Sequence, residues 1–127
     1  MTPSPRRYRQ KRDAGRSDAH RRWIRQHECV NFGSAVAPCD IDHPIEAAHY
    51  RTAANSGAGM KPGDEWLLPL CRSCHALQHQ IGQRAFELRY GISMRQKALA
   101  YALESPDRAV KARARNILAS DANAAAE

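Results

Sequence analysis

The residues with the most specific chemistry are Cys71 and Cys74, whose two-residue spacer lets both thiolates converge on one tetrahedral metal in a knuckle turn. A structural zinc there needs two further ligands, and Cys29 and Cys39 supply them if every cysteine is used. Such a site would tie an N-terminal loop to the turn at Leu70 and Cys71, contributing on the order of 10 kcal/mol of folding free energy. The step from Cys29 to Cys39 is longer than the usual zinc spacing, so His27 or His43 stands as an alternative to one of them. A redox Cys-x-x-Cys calls for a βαβ context that is absent here. Buried free thiols are the remaining reading.

His75 follows Cys74 directly, and His79 lies one helical turn on, so the two imidazoles share a face and can bind one ion. An isolated pair of this kind is more often surface decoration. Here the cysteines anchor the helix start and hold both rings in place. His49 closes the short apolar segment 45–50, and Arg51 follows two residues later, so strand alternation directs a base and a cation to one place. A lone histidine in an Ala-rich strand is more often a satisfied core residue. With Arg51 beside it and a histidine pair elsewhere, a hydrolytic site explains it better.

Charge adds a partner. The 127 residues carry 20 Lys and Arg against 13 Asp and Glu, a net +7. Nine of those cations (Arg6, Arg7, Arg9, Lys11, Arg12, Arg16, Arg21, Arg22 and Arg25) fall in residues 1–25 against Asp13 and Asp18, and the other 102 residues are balanced. A cationic arm on a neutral body suits a polyanion, because each cation that neutralises a phosphate releases a counterion. A solvated tail is the bland alternative. No apolar run is long enough to span a membrane and no apolar segment follows the basic start, which argues against membrane and secreted proteins and for a cytoplasmic one.

The elements that must position these residues follow from patterning. Residues 1–17 read as a basic disordered arm. Asp18 is expected to cap a short helix over 19–27, followed by an irregular loop from Cys29 to Pro44. Strands are expected at 45–50 and 66–70, separated by a Gly-rich ordered loop over 51–65, with Pro69 at an edge. A helix from about Ser73 would bury one stripe of Leu77, Ile81, Ala85 and Leu88, with Gly82 as a break or kink and Gly91 as its end. Two C-terminal helices within 92–119 follow, one capped by Ser93 and one opened by Ser105, Pro106 and Asp107 with Val110, Ala114, Ile117 and Leu118 inward. Residues 120–127 read as a disordered tail. The expected fold is α+β: a zinc-stapled core over 18–91, a basic arm and added C-terminal helices.

In their order, Ala48-His49-Tyr50-Arg51, the stretch from Gly57 to Asp64, Leu70-Cys71-Arg72-Ser73-Cys74-His75 and then His79 resemble the HNH (His-Me finger) endonucleases, in particular the small prophage YbcO/Ref-type nucleases. The resemblance covers about residues 29–86. It implies a ββα-metal core in which His49 is the general base and His75 with His79 holds one catalytic divalent ion, magnesium, manganese or zinc. Ala48 stands where many members carry another ligand, and Asp64 stands nearest their central Asn, as an orienter of His49 or a third ligand. Glu46 ranks below it, since it should point to the opposite strand face from His49.

Together these readings give a metal-dependent endonuclease acting on DNA phosphodiesters. Arg51 and Lys61 would neutralise phosphate oxygens. The cations of the arm and first helix, from Arg6 to Arg25, would grip the backbone without reading bases. The resemblance adds a phage or prophage setting, with a phage or host recombination protein as a further partner. The rival from another class is a zinc-stapled nucleic-acid-binding module without catalysis.

Overall fold

The computed structural model describes residues 15–40, 42–52, 55–56 and 62–126. The arm cations Arg6, Arg7, Arg9, Lys11 and Arg12, and Lys61 with most of the stretch expected to form the Gly-rich ordered loop, lie outside them. The architecture is α+β, with five helices and one two-stranded antiparallel sheet among the described residues.

Helix α1 spans Asp18–Ile24. Its cap is Ser17, whose hydroxyl accepts the His20 amide at 3.0 Å, while Asp18 occupies the first turn and favours the helix dipole from there. His20 and Ile24 face inward, and Arg22 and Arg25 remain exposed. Residues 28–44 then run without helix or strand among those described, as Gly33, Pro38 and Pro44 lead one to expect.

Strand β1 (Ile45–His49) pairs with β2 (Leu67–Cys71) so that Ile45 faces Cys71, Ala48 faces Leu68 and His49 faces Leu67. A short 3-10 turn, Asp64–Trp66, leads into β2. All of β2 is buried because α1 covers the hairpin as well as the helices beyond it, so Leu-Leu-Pro-Leu-Cys reads as an unbroken apolar run.

Helix α2 (Arg72–Ile81) starts directly from β2, and α3 (Gln83–Tyr90) comes after Gly82 alone. Gly82 has φ +88° and ψ 158°, a positive-φ conformation that glycine alone adopts readily, which stops α2 and resets the helical phase. The single stripe expected across this stretch is therefore cut in two. Cys74, Gln78 and Phe86 face the core, Ala85 is exposed, and Leu88 is 76% exposed. The main core joins Ala48, Leu68, Leu70, Cys74, Phe86, Met94 and Ala98.

Helix α4 (Met94–Leu103) is capped by Ser93 as expected. Helix α5 (Arg108–Ala126) is capped instead by Asp107, whose carboxylate accepts the Ala109 and Val110 amides, while Ser105 turns back to the core. Val110 and Ala114 are buried, but Leu118 is partly exposed. The helix also continues past Ser120, in place of the expected disordered tail. Alanine favours the helix there, and Asp121 is paired with Arg95 at 2.7 Å.

His20 stitches α1 to the α4–α5 corner: it is fully buried, with Nδ1 2.7 Å from the Ser105 hydroxyl. Its Nε2 is the one buried side-chain nitrogen or oxygen without a hydrogen-bond partner among the described residues. Burial lowers its pKa from the usual 6.5, against the opposing pull of Asp64 and Asp107. The unfolded chain then takes up this proton before the folded chain does, so stability falls as pH drops through 6.5. His20→Gln, which can keep the bond to Ser105 without titrating, should flatten the fall in unfolding free energy between about pH 7 and 5.5. Equal slopes for the two proteins in denaturant titrations would remove His20 from that account.

Candidate active site and metal centre

The four cysteines arrive from three places: Cys29 and Cys39 from the loop after α1, Cys71 from the end of β2, and Cys74 from the first turn of α2. Their Sγ atoms all lie within 4.8 Å of one another, with Cys39 3.6 Å from Cys29 and 3.4 Å from Cys74. Four sulfurs about 2.3 Å from one tetrahedral zinc would stand roughly 3.8 Å apart, so this set fits a structural zinc. The thiols are free rather than bridged. The group of mutually close candidate ligands holds the four cysteines and neither of the alternatives, His27 and His43, whose Nδ1 atoms bond the Trp23 carbonyl at 2.8 Å and the Ser73 hydroxyl at 2.7 Å.

Without a cation among them, Cys39 and Cys74 favour the protonated thiol. Burial, with Cys29 and Cys71 adding to it and the hydrogen bond with Cys74 opposing it, pushes the Cys39 thiol up to about 12, and burial raises Cys74 as well. At Cys71 burial acts the same way, but the amides of Cys74 and Asp40 outweigh it and lower the pKa. Four thiolates this close need a divalent charge among them.

At the other end of the hairpin, His49 meets a buried carboxylate. His49 Nε2 lies 3.1 Å from Asp64 Oδ1. Arg21 reaches the same carboxylate from α1, with Nε 2.7 Å from Oδ2 and the terminal nitrogen 2.9 Å from Oδ1. The Ser17 amide donates to Oδ2 at 2.7 Å. Burial alone would raise the Asp64 carboxyl, but the hydrogen bonds from His49, Arg21 and Ser17 hold it well below the usual carboxylate range. This stabilisation is complete above the ordinary value of 3.8 and is lost as pH falls toward the folded value.

Arg21, expected on a phosphate, is thus turned inward, because an ionised carboxylate with 1% of its side chain exposed needs a countercharge. The arrangement depends on close backbone approach. A Cβ on Gly15 would stand 2.8 Å from Gly63 Cα, and the Asp64 amide donates to the Gly15 carbonyl at 2.9 Å. Arg21→Met should cost about 3 kcal/mol in denaturant unfolding, since it strands a buried charge. A loss under about 1 kcal/mol would mean that Asp64 finds another partner.

His75 and His79 lie on one face of α2 with their Nε2 atoms 3.1 Å apart. Two nitrogens about 2.1 Å from one tetrahedral ion would be roughly 3.4 Å apart, so the pair can share an ion. His75 Nδ1 is 3.0 Å from Glu46 Oε1, which fixes the ring and leaves Nε2 for a ligand bond. Among the described residues only the four cysteines form a group of three or more candidate ligands, so Asp64 does not join this pair. Burial lowers the His79 pKa, and the charges of His75 and Arg51 lower it further. Arg51 is exposed, with its backbone pinned by Gln83, whose Oε1 accepts the Arg51 amide at 2.7 Å.

Three residues take roles that the sequence expectations did not give them. Glu46 points away from His49, as strand alternation requires, but that is the face shared with Ala48 and covered by α2, so it meets His75. Arg21 and Ser17 reach Asp64 across more than 40 residues, and no local pattern signals that pairing.

The family model described as "Protein of unknown function (DUF968)" matches residues 2–105, and the chain belongs to that family. The matched stretch contains the four cysteines, His49, Asp64, His75 and His79, and it ends ahead of α5. No curated protein and no solved structure matches the chain.

Proposed function

We propose that this protein is a zinc-stapled, metal-dependent endonuclease that hydrolyses DNA phosphodiesters, of the HNH kind that its motifs resemble. The observation that carries the reading is the clamped His49: a buried ionised carboxylate, itself held by Arg21 and the Ser17 amide, fixes Nε2 at the end of β1. Its Nδ1, which has no hydrogen-bond partner among the described residues, would take a proton from the attacking water. Arg51, two residues on and close enough to affect His79, supplies a cation for a non-bridging phosphate oxygen. His75 and His79, backed by Glu46, would hold the divalent ion, which as a Lewis acid supplies stabilisation of charge on phosphate and leaving oxygen. The Cys quartet fixes the start of α2 and so the position of both histidines.

DNA is the partner in this reading, with backbone contact supplied by Arg22, Arg25, Lys61 and the cations of the arm. Deleting residues 2–14 removes Arg6, Arg7, Arg9, Lys11 and Arg12 against Asp13 and spares Gly15 and Ser17. DNA affinity should drop and the slope of log K against log salt should become shallower, by up to about 0.9 for each phosphate that the arm neutralises. An unchanged slope would remove the arm from the interface. The direct test of the activity is divalent-dependent nicking of plasmid DNA by the zinc-loaded chain. Tight DNA binding without nicking would favour the non-catalytic binding module instead.

A further inference from the structure

A recess of 400 Å³ opens between the end of β1, the 3-10 turn and helices α4 and α5, lined by Tyr50, Glu65, Trp66, Arg95 and Ile117 among others. It adjoins the catalytic candidates through the chain itself: Tyr50 follows His49, Trp66 lies two residues past Asp64, and the Tyr50 amide donates to the Trp66 carbonyl at 2.8 Å. The Tyr50 and Trp66 rings stand 5.8 Å apart at 53°, and the Arg95 guanidinium sits 5.5 Å from the Trp66 ring centre.

The charges of this recess cancel internally. Arg95 is paired with Asp121 through two hydrogen bonds of 2.7 and 3.1 Å, and Arg113 Nε donates to Glu65 Oε2 at 2.9 Å. A neutral, aromatic-walled recess is unsuited to a phosphate and suited to a flat heterocycle, which can stack on Tyr50, Trp66 or the Arg95 plane. Glu65 Oε1 has no protein donor among the described residues, so it can accept from an exocyclic amine of a base. The volume lies within the range of roughly 300–1,000 Å³ typical of small-ligand pockets.

We propose that this recess is a nucleobase pocket, which takes an unpaired base of the nucleotide next to the phosphate at His49. The inference rests on the nuclease reading for its neighbour and makes single-stranded or locally opened DNA the preferred substrate. A base stacked and paired in a duplex cannot enter the recess without leaving the helix, so recognition there discriminates by base accessibility rather than by sequence.

The test is binding of the full zinc-loaded chain to a fluorescein-labelled 15-nucleotide single strand and to the same sequence as a duplex, with no activating divalent ion added. Trp66→Leu should weaken single-strand binding about 10-fold and leave duplex binding unchanged, and Trp66→Phe should restore most of the loss. The same single strand should shift the indole N–H resonance of Trp66 in the wild-type chain, and the duplex should not. That signal decides the matter if the Leu variant fails to fold. Equal losses on both DNAs, or an unmoved Trp66 resonance, would overturn the pocket. The two readings fail separately: a chain that binds through Trp66 but never cleaves sinks the nuclease, and one that cleaves without a Trp66 signal sinks the pocket.

Discussion

Cys71→Ser should leave the chain without tightly held zinc and without a cooperatively folded core. Cys71 ends β2 and Cys74 opens α2, so a metal held by them would stand where the hairpin, the first loop and the second helix meet, and Cys74 is itself fully buried in the main apolar cluster. A structural zinc supplies on the order of 10 kcal/mol, which is comparable with the whole stability of a small domain, about 5–15 kcal/mol. Wild-type protein should carry about one zinc per chain after dialysis against a weak chelator. The variant should carry almost none and lose near-ultraviolet dichroism and amide dispersion together. A Cys71→Ser variant that stays folded with a wild-type unfolding midpoint would show that packing alone holds the quartet together.

The second large effect separates two kinds of failure at the candidate site. His49→Ala should keep the fold and DNA binding and lower cleavage by roughly 100-fold or more, because it removes the proposed base for the water's proton. It also leaves Asp64 satisfied by Arg21 and Ser17, so stability should change little. His75→Ala should act through the ion instead. The dependence of cleavage on divalent concentration should move to higher concentration, with part of the activity recovered at saturation through His79. Glu46→Gln, which weakens the carboxylate behind His75, should shift the same curve in the same direction by about 10-fold. If His49→Ala and His75→Ala moved the metal dependence alike, the division between a water-serving strand and an ion-serving helix would be lost.

How far the sequence led depended on the range of the interaction concerned. The cysteine quartet was legible because Cys-x-x-Cys states its own geometry and the chain has only two other cysteines to complete it. The order of two strands and then a helix was legible from short apolar segments separated by glycines and prolines. The apolar stripe from Leu77 to Leu88 failed at one residue, since Gly82 breaks the helix and rotates α3 relative to α2, bringing Phe86 in and sending Leu88 out. At the start of α5 two residues of cap type compete, and Asp107 caps the helix while Ser105 is drawn to the buried ring of His20. In the sequence Arg21 is one more arm cation beside Arg22 and Arg25. Its role depends on Asp64, 43 residues away, and on the depth at which that carboxylate is buried.

The most direct test of the central claim is conversion of supercoiled plasmid to the nicked form by the zinc-loaded chain with magnesium or manganese added, run beside His49→Ala purified in the same way. The account predicts nicking that requires the added ion, saturates with it, and falls by roughly 100-fold or more in the variant. Nicking at equal rates in both preparations, or none in the wild-type chain with any divalent ion while DNA binding is intact, would contradict it.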